Sequence, residues 1–192
     1  MVSMTDDKKT FIHVGNNLAV DFINTQYVNQ GELVDQLSSL DALYQWATEM
    51  GVLLEDDNGT TSMEDVWQLR HSVKTLLAAY IEEQALPKEA LNVINRQLKN
   101  APLQQQLLAV AHEFALQPLH ATLSIEQLLG KIAYEVASLL TSNHSRQIKR
   151  CSNEKCVLMF VDTSRSKKRR WCSMDSCGNR AKAANYYQTQ KH

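Results

Sequence analysis

The chain's four cysteines all fall near its C-terminus, as Cys151-x4-Cys156, then fifteen residues, then Cys172-x4-Cys177. Two short pairs at that separation read as a four-thiolate zinc site. Structural zinc wants four tetrahedral ligands and accepts all-sulfur coordination, and each short loop can present two sulfurs to one ion while the segment between folds back as a hairpin. Two disulfides are the competing reading. They suit short secreted chains with a leader, and the N-terminal MVSMTDDKKTF has no basic segment followed by an apolar stretch. No apolar run is long enough to span a bilayer, so the expectation is a cytoplasmic protein with reduced thiols and one structural Zn2+.

Charge divides the chain at the same place. After Asn143, twelve lysines and arginines stand against Glu154, Asp162 and Asp175, a balance of +9. With a whole-chain charge of -1, the preceding residues carry -10. A basic zinc module on an acidic body suggests a polyanion partner, double-stranded DNA first. Arg165, Lys167, Lys168, Arg169 and Arg170 form a run suited to phosphates, while Arg180 and Lys182 stand on the first turn of an expected helix, where Arg180 could reach a guanine edge in a major groove. The structural alternative for Arg180 is an internal pair with Asp162 or Asp175.

The elements that must position these groups follow from periodicity. At 192 residues and 44% hydrophobic side chains, one ordinary core plus a small metal-dependent module is expected, divided as 1–143 and 144–192. The body reads as mainly helical. Helices are expected over Asn16–Asn24; over Asp35–Met50, with Gly51 as a left-handed stop; and from the Ser62/Asp65 box along Val66, Leu69, Val73, Leu76, Leu77 and Ile81. Two more follow, after Pro87 and from the Ser124/Gln127 box to about Thr141. Residues 103–123 fit neither period and leave room for a small β-hairpin near the centre. Ser142–Ser145 reads as a polar linker.

In the module, Val157–Val161 is the only plausible strand, and NRAKAANYYQ from Asn179 is a helix with Cys177 at or just before its N-terminus, where the dipole favours a thiolate. Knuckle, hairpin and ligand-bearing helix make a treble-clef-like finger. Gly178 allows close backbone approach, and Asn179 caps the helix or bonds a ligand sulfur. His13, His71, His112 and His120 lack metal-ligand spacing and read as packing or surface residues.

The strings C-x4-C-x3-F-x-D-x-S and RRWCSMDSCGNRAKAANYY resemble the CGNR-type zinc finger, whose tetrapeptide here is Cys177-Gly178-Asn179-Arg180. LAVDFINT, WATEMGVL and Leu69-Arg70 are similar to the ABATE domain that accompanies this finger in proteins described as stress-induced transcription regulators. Together they cover nearly the whole chain. The resemblance implies a zinc-dependent DNA-binding finger on a domain that senses a ligand or mediates assembly. It also makes Asp21, Asn24, Thr25 and Arg70 the lining of a small-molecule pocket. Their alternative is a buried polar network with Asp21 paired to Arg70 and Asn24 capping a helix end.

No phosphate-binding glycine loop or nucleophile motif is present, and four thiolates close the zinc sphere to water, so no enzymatic activity is expected. An RNA-binding or protein-docking module is the first rival, weakened because Tyr186 and Tyr187 are the only aromatics beyond the ligands to stack bases. A thiol redox sensor is the second. One finger has a small footprint, so specific regulation calls for a homodimer or a second partner.

Overall fold

The computed structural model describes residues 11–56, 61–102, 104–111 and 113–189. The first helix, α1 (Leu18–Ile23), starts where extended Asn17 turns its side chain onto the N–H groups of Ala19 and Val20. Ala19, Val20, Phe22 and Ile23 are all buried. The chain then forms a hairpin, β1 (Gln26–Asn29) with β2 (Glu32–Asp35), that periodicity did not predict. Gln30 and Gly31 between the strands both have positive φ, 51° and 93°, the backbone a two-residue hairpin loop needs.

Helix α2 therefore starts later than expected. It spans Leu40–Glu49 behind a Ser39 cap, and Gly51, at φ 72°, terminates it as predicted. Asp35 and Leu37, assigned to this helix from sequence, belong to the hairpin and the turn after it, although Leu37 is still fully buried. The long helix α3 (Met63–Ile81) follows the Ser62 cap, and α4 (Lys88–Leu98) follows Pro87. The unassigned stretch becomes a regular hairpin, β3 (Gln105–Val110) with β4 (Glu113–Pro118). Helix α5 (Ile125–Thr141) opens on a reciprocal capping box between Ser124 and Gln127. Residues 57–60, Leu103 and His112 lie outside the described residues.

Helices α1, α3, α4 and α5 pack around one apolar core that includes Phe22, Trp46, Leu69, Leu77, Leu129 and Val136. Burial of each such side chain contributes about 1.5–3 kcal/mol. Gly130 sits where α5 crosses the end of α4. A Cβ there would come within 2.4 Å of the Asn100 carbonyl carbon, so the close crossing requires glycine.

The C-terminal segment is no detached appendage. Ser142–Ser145 is a hydrogen-bonded turn that leads through a 3-10 turn (Ser145–Gln147) into β5 (Ile148–Arg150), a second strand where only one was expected. Strand β5 pairs antiparallel with β6 (Met159–Val161). All three residues of β6 are buried, and successive side chains point to opposite faces. Met159 and Val161 join the body's core; Phe160 joins a second, smaller cluster with Leu158, Cys151, Cys172 and Cys177. A π-helical turn (Met174–Gly178), capped by Ser173, then feeds α6 (Asn179–Thr189).

Candidate metal centre and basic surface

The knuckle after β5 carries Cys151 and Cys156, the segment before the π turn carries Cys172, and the turn itself carries Cys177. Their four sulfurs lie within 4.8 Å of one another. A regular tetrahedron with metal–sulfur bonds of about 2.3 Å has sulfur–sulfur edges of about 3.8 Å. Cys156 Sγ and Cys172 Sγ stand 3.8 Å apart. The quartet thus has the size and donor chemistry of a thiolate zinc site, and all four cysteines are free of disulfides.

Hydrogen-bond donors reach the sulfurs directly. Asn153 Nδ2 donates to Cys177 Sγ at 3.3 Å, and the Cys172 backbone N–H donates to Cys151 Sγ at 3.4 Å. Such contacts hold ligands in place and spread their charge. The hydrogen bond from the Cys172 thiol lowers Cys156 to about 5, against the opposing push of burial. That bond, with burial and the neighbouring thiolates, pushes Cys172 well above the ordinary thiol range. Burial raises Cys151. Metal binding must therefore release protons from the quartet. Asn179 does not reach a sulfur. It bonds the Asp175 carbonyl at 3.3 Å, and the sulfur-binding amide is Asn153, inside the first knuckle.

The CGNR zinc finger family matches residues 147–190. The ABATE family, described as "Putative stress-induced transcription regulator", matches residues 16–143, two thirds of the chain. The chain belongs to the ABATE family. No curated protein matches it. Cys151, Cys156, Cys172 and Cys177 of this ABATE protein form a structural site for one zinc ion in its CGNR finger. With four sulfurs the coordination sphere is closed, and the ion's task is to hold three chain segments together. Neither family description names a catalytic activity. Among the described residues no helix is long and apolar enough to cross a membrane.

Cations that look alike in the sequence of the ABATE protein's finger have different environments. Asp162, fully buried, organises one group of them. Its carboxylate accepts from Lys149 Nζ at 2.7 Å, the Arg169 backbone N–H at 2.9 Å, and both the hydroxyl and the N–H of Ser164. Burial pushes this carboxyl upward, but those donors outweigh it and hold the group well below the usual carboxylate range. Arg169 is likewise internal. Its guanidinium donates to the carbonyls of Trp171, Val14 and Cys172, and lies 4.1 Å from the Phe160 ring centroid. Lys167 donates to the Asp162 carbonyl at 3.0 Å. Lys167 is exposed but tethered by that bond, whereas Arg165, Lys168, Arg170, Arg180 and Lys182 are exposed and pair with no acid among the described residues. Arg170 stacks over Trp171 at 5.1 Å. Asp162 already has its partners and no acidic side chain among the described residues pairs with Arg180, so the internal pair considered for that arginine is not formed.

The body's four polar residues are engaged internally. Asn24 holds β6 like a neighbouring strand: Nδ2 donates to the Met159 carbonyl at 2.8 Å and Oδ1 accepts the Met159 N–H at 3.0 Å. Asp21 accepts the Gly15 N–H at 2.7 Å, and the Gly15 carbonyl accepts the Val161 N–H at 2.8 Å. A Cβ at Gly15 would sit 2.8–2.9 Å from Asp21 and Val20 atoms, so only glycine makes this bridge. Burial raises the Asp21 carboxyl, against the bonds from Gly15 and Val14 and the nearby His13 and Arg169 charges. Arg70 pairs with Asp35, so the Asp21–Arg70 pair of the alternative network is not formed, and it donates to Thr25 Oγ1 at 3.0 Å. Asp35 is available because the β1–β2 hairpin, absent from the sequence reading, turns it toward α3. Among the described residues no histidine joins a metal-like grouping: His13 bonds Glu49 at 2.8 Å, and His71 and His120 make long side-chain contacts on the surface.

Proposed function

We propose that this chain is a zinc-dependent, DNA-binding transcription regulator, with a treble-clef finger built from the 151–156 knuckle, the β5–β6 hairpin and α6. The observation that carries this reading is the sorting of the cations. Lys149 and Arg169 stabilise the finger from inside, while Arg165, Lys168, Arg170, Arg180 and Lys182 project from the loop and helix that the zinc ligands anchor. A set of cations that pair with no acid among the described residues suits a phosphate backbone. The acidic body takes an effector or a partner, in the cytoplasm. We assign Asp21 and Asn24 to coupling that body to the finger, through Gly15 and Met159, while Thr25 and Arg70, bonded to each other and to Phe22 and Asp35, brace the body's own hairpin.

The test is zinc content of the purified protein together with titration of random-sequence duplex DNA across salt, for wild type and Cys172→Ala. One zinc per chain is expected, with binding that weakens by about 0.9 log unit per log unit of salt for each phosphate contacted and disappears with the metal. Full zinc occupancy without duplex binding would turn the finger into a docking element for RNA or protein.

A further inference from the structure

Three clefts flank the Arg170–Trp171 stack, and they differ in how many cations are free to meet a ligand. The first, about 430 Å3, is lined by Lys168, Arg169 and Arg170. The second, about 600 Å3, adds Lys149 and Arg150. In both, Arg169 is held by backbone carbonyls; in the second, Lys149 is held by Asp162 and Arg150 by Glu82 at 3.0 Å. Each therefore offers Lys168 and Arg170 alone. The third cleft, about 560 Å3, lies between the first knuckle, the indole and α6, and is lined by Lys155, Arg170 and Arg180. All three are exposed, and none is paired with an acid among the described residues. Glu154 is the one acid on its wall. On the α6 side the wall consists of Ala181 and Ala184, whose short side chains let a ligand approach the helix closely.

Resting on the DNA-binding reading above, we propose that this third cleft seats the phosphodiester backbone of one DNA strand, with Lys155, Arg170 and Arg180 as its phosphate contacts. Lys155 is a new member of the binding surface, outside the basic loop and outside the helix. The cleft also explains why the metal matters to a ligand it never touches. Lys155 precedes Cys156, Arg170 lies two residues before Cys172, and Arg180 three residues after Cys177. Each cation is tethered to a different zinc ligand, so three segments distant in sequence converge only while the sulfurs share one ion. Without that convergence the cations are three separate solvated side chains. Lone surface charges bind phosphate weakly, and a preorganised cluster avoids the entropy of gathering them.

The test uses the full zinc-loaded chain and a fluorescent random-sequence duplex titrated at several salt concentrations. Lys155→Gln is expected to keep one zinc per chain, to lose affinity roughly tenfold, and to lower the salt slope by about 0.9. Lys99→Gln, an exposed lysine on the body, is expected to bind as wild type. The Lys155→Gln loss is also expected to be equal on all-A·T and all-G·C duplexes, since a backbone contact carries no sequence information. Unchanged affinity and slope in Lys155→Gln would overturn the seat, and so would a loss confined to one base composition. Should the wild-type protein with full zinc fail to bind any duplex, the DNA-binding reading itself fails and the seat goes with it. That result is read from the wild-type titration alone, before any variant is compared.

Discussion

The body and the finger hold themselves together by different means. In the body, helices bury a continuous apolar core around Phe22, Trp46, Leu69 and Leu129, with polar groups mostly at its edge. Besides its cysteines, the finger's own cluster buries only Leu158 and Phe160 among the described residues, with Ile12, Val14, Tyr27 and Trp171 at its margin. Too little hydrocarbon is present there for an independent core, so metal–sulfur bonds and the Asp162 network take its place. The two regions nevertheless share β6, and the contrast is one of chemistry more than of separation.

Removing the metal should break the comparison most completely. Cys172→Ala is expected to abolish zinc binding and lower stability by more than about 5 kcal/mol, because Ile148, Met159 and Val161 also leave the body's core. Zinc analysis and a thermal melt followed at buried Trp46 would show this, whereas an unchanged melt would mean two independent domains. Asn24→Ala comes next. It leaves the N–H and carbonyl of Met159 without partners in a dry interface, at about 3 kcal/mol in urea unfolding, although Asn24 lies more than a hundred residues from the zinc ligands.

Arg169→Ala should cost about 2 kcal/mol and weaken zinc retention under chelator challenge, since three carbonyls and the Phe160 ring lose their shared partner. Asp35→Asn is expected to cost about 1–2 kcal/mol at neutral pH, less than a fully enclosed pair because Asp35 is about a third exposed. Burial raises the Asp35 carboxyl, but Arg70 and Gln26 more than offset it, so its pKa lies below 3.8 in the folded chain. Its stabilising contribution is therefore complete above that value and lost as pH falls through the folded pKa. The gap between wild type and Asp35→Asn should narrow in that acid range, and zinc loss, common to both chains, cancels from the difference. The smallest effect belongs to Arg165→Ala, expected to stay within about 0.5 kcal/mol of wild type while weakening duplex binding.

Features written in local chemistry were legible in the sequence. The ligand quartet, the Ser124 capping box, the long periodic α3 and the helix after Cys177 needed only spacing and residue type. What depended on distant neighbours was not. The β1–β2 hairpin is announced only by Gln30-Gly31, without the strong Asn-Gly signal, and β5 is three residues long inside a cationic stretch. Arg169 and Arg170 are adjacent and identical, and only the position of β6 sends one under Phe160 and leaves the other outside. Asn153 resembles any knuckle residue until the fold brings Cys177 to it. Asp35 became the partner of Arg70 because a hairpin, unseen in the sequence, carried it there.

The shared strand makes the finger a poor candidate for transplantation. A segment cut out after Asn143 would bring Ile148, Met159 and Val161 into water, and the donor body would be left with an open slot along α1. Grafting this finger onto another protein would require a host that supplies its own counterpart of Asn24 and Gly15. For the same reason, any displacement of the body is felt by the finger as strain across a welded seam, without the wide sweep of a tethered domain.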